Sequence, residues 1–128
     1  MLKVGIKGQA AEKVTDVNTA VAYGSGGVRV FATPAMIGLM EKAALGSVDS
    51  LLGEGMTTVG TSVNVQHLAA TPVGMNVIAT SELLEIDGKR LVFKVEAHDE
   101  VELVGRGSHE RYIVAEEKFL ARSFAKNK

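Results

Sequence analysis

The stretch Thr33–Leu52, TPAMIGLMEKAALGSVDSLL, constrains this chain more than any other. Thr33 is a good N-cap, Pro34 suits the first helical position, and Gly53 suits the C-terminal stop. The pattern predicts one long helix, whose nineteen residues from Pro34 to Leu52 span roughly 28 Å at about 1.5 Å per residue. At helical spacing Lys42 shares a face with Gly38, Gly46 and Asp49, a polar or small-residue face. Glu41 falls among Ile37, Ala44, Leu45, Val48 and Leu52. A carboxylate on an apolar stripe is costly unless paired, so Glu41 has a partner, or a function, or a place at the boundary of the stripe.

The rest of the chain is consistent with a single domain over residues 1–128, long enough to bury a core around such a helix. The net charge of -1 and the lack of a basic cluster give no electrostatic footprint for nucleic acid. Lys126 and Lys128 read as a solvated tail. The absence of cysteine rules out disulfides, thiolate metal sites and cysteine nucleophiles. The start, MLKVGIKGQ, lacks the apolar run of a signal peptide, and no stretch approaches a membrane span. The expectation is a soluble, cytoplasmic protein with no membrane partner.

In chain order, residues 1–9 read as an extended arm and Ala10–Ala22 as a strand, although AAEKV also tolerates a helix. Gly24-Ser25-Gly26-Gly27 breaks the chain. It does not make a phosphate loop, because the glycines do not abut the helix and no Lys-Ser/Thr follows. After the helix, Thr57–Leu68 alternates. Thr57, Val59, Thr61, Val63, Val65 and His67 share one face, and Gly60, Ser62, Asn64 and Gln66 take the other. His67, like Glu41, thus continues the apolar side of its element. Gly60 inside a strand marks either a bulge or a close approach by another group. Residues 69–74 form a turn and Met75–Ile86 a strand. Asp87-Gly88 signals a hairpin to Leu91–Asp99, and Glu100 sits in the next turn. The last strand lies within Val101–Phe119, with a bulge at Val104-Gly105 and with His109, Arg111, Ile113 and Ala115 on one face. Ser123–Lys128 is expected to fray. The order of one strand, a long helix and four strands predicts an α+β layer with an antiparallel sheet. Such a sheet leaves an edge that a second copy can cover.

Three segments, VFATPAMIGLMEKAAL, VGTSVNVQHLAATPVGM and SHERYIVAEEKF, together resemble the fluoroacetyl-CoA thioesterase-like family of hotdog-fold proteins. The resemblance runs from about Val30 to Phe119. It implies a hotdog fold, one long central helix wrapped by an antiparallel β-sheet, working as a homodimer or dimer of dimers with sites at the interface. It also implies an acyl-CoA thioesterase that releases a carboxylate and free CoA. Thr33, Glu41 and His67 match the family's catalytic residues. Gly60 matches a glycine whose backbone N–H faces the thioester carbonyl, and Arg111 an arginine lining the acyl end of the pocket.

Thioester hydrolysis needs a nucleophile, a proton manager and a donor for the oxyanion. On this resemblance Glu41 attacks directly or acts as base for water. His67 activates water or protonates the departing sulfur. Thr33 is a nucleophile, an orienter of Glu41, or only a helix cap. Thr33 and Glu41 are eight residues apart, roughly 12 Å along a helix. They meet only if the helix starts later than Pro34 or if one belongs to a partner subunit. The family's longer aromatic lid segment ahead of VFAT is replaced here by AYGSGGVR, so fluoroacetyl specificity does not carry over.

No cofactor is implied beyond CoA as part of the substrate, whose phosphates could meet Lys42 or Arg106. No metal site is expected, since His67, His98 and His109 lack ligand spacing. His98 and His109 read as surface or turn residues, His109 having the alternative of a hydrogen bond near the site. The alternatives to a thioesterase are a non-catalytic acyl-CoA-binding hotdog protein and, disfavoured by the motifs, a hotdog dehydratase.

Overall fold

The structure, a computed structural model, describes residues 1–127. Five strands, β1 (Lys7–Lys13), β2 (Met56–His67), β3 (Asn76–Asp87), β4 (Arg90–His98) and β5 (Leu103–Ala115), form one antiparallel sheet in the order β1-β3-β4-β5-β2. The long helix α2 (Thr33–Val48) lies on its inner face, with a short α1 (Ala20–Tyr23) before it and α3 (Glu116–Phe124) after β5. This is the expected hotdog arrangement.

Helix α2 buries Ala35, Met36, Leu39, Met40, Ala43, Ala44 and Val48 against Val77, Ala79, Leu83, Leu91, Phe93 and Val95 of the sheet. The small Ala43 and Ala44 let the helix backbone come close to β1. At Gly8 of that strand any Cβ would strike the Ala43 carbonyl and the Ser47 side chain. Gly38, Lys42, Gly46 and Asp49 face outward, as the helical spacing predicted. Glu41 sits with Ile37 and Leu45 at the boundary of the buried stripe. The α-helix ends at Val48 and a single 3₁₀ turn, Asp49–Leu51, completes the expected length.

Three expectations are corrected. Only the first part of Ala10–Ala22 is strand. Asn18 accepts the Thr15 N–H and donates to Glu12 and the Lys13 carbonyl, while Thr19 caps α1. These side-chain bonds replace ladder bonds and turn the chain. Residues 116–124, expected as strand and then frayed tail, form a helix that carries Glu116 and Glu117 at its start and Arg122 at its end. Those charges complement the helix dipole. Lys126 lies in the turn after it, and Lys128 falls outside the described residues.

The third correction decides the site. Gly60 pairs with Arg111 and Ser62 with Glu110, so Thr61 has no partner and forms a bulge. The strict alternation is therefore broken in mid-strand. Thr58 and Gly60 join Val63, Val65 and His67 on the inner face, opposite the buried Arg111 and His109. Without the bulge, Gly60 and His67 would point to opposite sides of the sheet.

Helix α2 packs mainly on β1 and β3 and only lightly on β4 and β2. The inner face of β2 is thus open from Gly60 to Asn64, and its outer edge is unpaired. Among the described residues, no helix is long and apolar enough to cross a membrane.

Candidate active site

Strand β2 runs antiparallel to α2, so the start of the helix meets the end of the strand. Thr33 Oγ1 lies 2.7 Å from His67 Nδ1. Ala32 occupies the N-cap position with extended backbone, Thr33 is the first helical residue and Pro34 the second. The Thr33 hydroxyl caps nothing; it faces the imidazole. Burial pushes the His67 pKa below its ordinary value, which favours the neutral ring. Its Nε2 is buried and meets no partner among the described residues. A groove of about 340 Å³ opens here between Ala20, Ser25, Val30 and Phe31 on one side and residues 67–70 on the other.

Two turns along α2, Glu41 reaches the bulged part of β2. Its carboxylate stands so close to Gly60 that a Cβ there would lie 2.7 Å from Oε2. Arg111 Nη1 is 4.0 Å from the same oxygen. Arg111 is held from behind: Nε donates to Thr58 Oγ1 at 2.7 Å, Nη2 to the Thr58 carbonyl at 3.0 Å, and Nη1 to His109 Nε2 at 3.1 Å. Burial lowers the Arg111 pKa, opposed by Glu41 and then Asp49. The guanidinium is nearly sealed while 41% of the Glu41 side-chain surface is exposed, so the carboxylate is the part of this pair a ligand can reach.

One chain therefore holds two groupings, Thr33 with His67 and Glu41 with Gly60 and Arg111. Among the described residues no hydrogen bond or ion pair links Glu41 to His67 or to Thr33. The option of a late helix start is removed, because α2 begins at Thr33. The sequence reading missed Thr58, hidden by the bulge, and misplaced His109, which is buried rather than at the surface. Its two-residue spacing from Arg111 was the available signal. His98 is exposed, as read. Larger hollows, of about 520 Å³ on the sheet and about 730 Å³ beside α3, contain none of these residues, so chemistry rather than size marks the site.

A family model described as fluoroacetyl-CoA-specific thioesterase (FlK) matches residues 14–117. The fluoroacetyl-CoA thioesterase of Streptantibioticus cattleyicolor is 45% identical over 93 residues, covering 73% of this chain and 67% of that protein. A solved structure of an FlK variant in complex with acetyl-CoA superposes with a TM-score of 0.93 at 34% identity, over 99% of this chain and 100% of that one. A hot-dog-like protein from Thermanaerovibrio acidaminovorans gives a TM-score of 0.89 at 25% identity, over 99% and 94% of the two chains. The span of the match, the fold it brings and the two polar groupings along α2 agree: this chain belongs to the fluoroacetyl-CoA-specific thioesterase family.

Proposed function

We propose that this chain, a thioester hydrolase by family, cleaves an acyl-CoA to a carboxylate and free CoA, with Glu41 and His67 as the working pair and two copies of the chain completing each site. The observation that carries this is the split of the polar residues into two groupings along the inner face of one edge strand. From Met56 to Gln66 that strand has no charged residue and no proline. Exposed edges are normally protected by such residues, so an unprotected edge of twelve residues invites a partner. An antiparallel ladder between two β2 strands, centred on the exposed run Gly60–Asn64, sets the partner's His67 within about three residues of Gly60. Each Glu41 then faces the partner's Thr33–His67 pair across one thioester.

In this reading the Gly60 N–H, with no Cβ beside it, donates to the oxygen of the thioester carbonyl as negative charge builds there. Glu41 takes a proton from a water whose oxygen adds to the carbonyl carbon, or adds to that carbon itself to give an anhydride that water hydrolyses after the thiolate has left. The C–S bond then breaks. His67, kept neutral by burial and oriented by Thr33 through Nδ1, handles the proton at the sulfur side through Nε2. Arg111 backs the Glu41 carboxylate and borders the acyl group.

Thiol release from a panel of acyl-CoAs tests this, with the wild type beside Glu41→Gln and His67→Ala. Each substitution should lower turnover by roughly 10²–10⁴-fold with folding intact. Saturable binding without turnover on any acyl-CoA would instead make the chain an acyl-CoA binder. Turnover that survives both changes would place the chemistry elsewhere.

A further inference from the structure

His109 is 1% exposed, and both of its ring nitrogens are committed. Nδ1 lies 2.8 Å from the Ser62 carbonyl, which can only accept, so Nδ1 carries the proton. Nε2 lies 3.1 Å from Arg111 Nη1, which can only donate, so Nε2 is bare. The ring is therefore neutral and in a single tautomer. Phe93 packs beside it, with ring centroids 6.3 Å apart. The groups on either side of this ring belong to the site. Ser62 directly follows the bulged Thr61, and Arg111 stands against Glu41. The space that a Cβ on Gly60 would need is bounded by Glu41 Oε2, His109 Cε1 and Arg111 Nη1 together.

We infer that His109 is a positioning residue for hydrolysis: it ties the bulge of β2 to the Arg111 guanidinium and so fixes that cation, and through it Glu41, relative to the Gly60 N–H. Thr58 holds the Nε and Nη2 side of the guanidinium, and His109 is the acceptor on the Nη1 side that faces the carboxylate. A protonated ring, or the other tautomer, would point an N–H at an N–H and release Nη1. Burial first, and then the Arg111 charge, lower the His109 pKa against the Ser62 bond and Glu41, in the direction that preserves the neutral acceptor. This inference rests on the reading of Glu41 and Gly60 given above.

The test is a double-mutant cycle on the full chain with the best substrate of the panel. His109→Phe keeps the flat ring and removes the acceptor. It should lower kcat/KM by roughly 10–100-fold, the scale of one hydrogen bond to a charged group. In an Arg111→Met background the same change should cost less than about twofold, because its effect passes through Arg111. His109→Gln, whose amide oxygen can reach the Nε2 position, should recover most of the loss. Losses that multiply in the double variant overturn the inference, as does a Gln variant no better than Phe. Since substituted chains can fold poorly, ¹⁵N NMR of the wild-type imidazoles gives a second reading. A protonated Nδ1 and bare Nε2 across about pH 6–8 support it, and the reverse tautomer overturns it. A wild type that hydrolyses no acyl-CoA sinks the functional reading, and the NMR then decides alone whether His109 is the acceptor for Arg111.

Discussion

The two places where α2 meets β2 are built on different principles. At the Thr33 end, two polar side chains share a single hydrogen bond, and one ring nitrogen has no partner among the described residues. At the Glu41 end, Arg111 and His109 are 6% and 1% exposed, and each polar contact is braced by another from β2. A group that passes protons to and from a substrate needs a free valence. A group that stabilises charge needs to stay still, because its benefit lies in not reorganising during the reaction. The lightly held end suits proton traffic, and at the other end the brace keeps Arg111 still while the half-exposed Glu41 carboxylate remains within reach of a ligand.

Mixing the two ends gives the largest expected effect. Glu41→Gln and His67→Ala chains, each nearly inactive alone, are mixed and allowed to exchange subunits. Half of the resulting dimers then hold one intact Glu41 facing one intact His67, so about a quarter of wild-type turnover should return. Absence of any recovery would assign both ends to one chain's site and remove the partner from the mechanism.

Truncation at each end sharpens the contrast. Arg111→Met leaves the buried Thr58 hydroxyl and His109 nitrogen without their partner, and should lower unfolding free energy by about 1–3 kcal/mol in urea titration. Thr33→Ala should cost well under the ~1 kcal/mol of a lost N-cap, since Ala32 holds that position. It should still lower kcat/KM about tenfold, the equivalent of roughly 1.4 kcal/mol. A clear stability loss in Thr33→Ala would return that residue to the role of a cap.

Gly60→Ala probes the braced end more finely. The new Cβ meets the tip of a flexible Glu41 side chain, which can swing away, and comes within 3.3 Å of the held His109 ring, which must give slightly, so thermal stability should fall only modestly. The displaced carboxylate should cost roughly one to two orders of magnitude in kcat/KM, as a misplacement near 1 Å does. Unchanged kinetics would mean that close approach to Gly60 is unimportant.

The smallest effect is in pH. The pKa values of His67 and His109 are both lowered from 6.5 by burial. The unfolded chain therefore binds protons first as pH falls. Stability is fully present above about 6.5 and declines below it, through the folded pKa values. Melting curves between neutral and mildly acidic pH should show this decline. His109→Gln should flatten it, and a curve independent of pH in this window would contradict the burial of both rings.

The long helix and the succession of strands along the chain were legible because they rest on local signals: Pro34, the apolar spacing, and turns at Gly74 and Asp87-Gly88. Glu41 and His67 stood out for the same reason, as titratable groups on apolar sides. What was not legible is non-local. Periodicity placed His109 beside Arg111 but could not say that Phe93 would cover it. Thr33 offers one hydroxyl that could equally cap a helix or meet an imidazole, and only the path of β2 decides between them. Helix α3 was read as strand because IVAEEKFL fits either pattern over so short a span. Gly60 signalled a bulge as one of two readings, but it could not tell that the extra residue is Thr61, so strict alternation put Gly60 on the wrong face.

That bulge also bears on how this chain can vary. Thr61 faces no residue across the ladder, and among the described residues its side chain makes one hydrogen bond, donated to the Glu110 carbonyl. Its identity therefore matters little, while its presence keeps Gly60 and His67 on the same side of the sheet. Exchanging the side chain is a small edit. Removing the residue works like a frameshift written in space, turning everything on one side of it over while leaving nearly every letter in place. Length, more than composition, is the inherited information at this point in the strand.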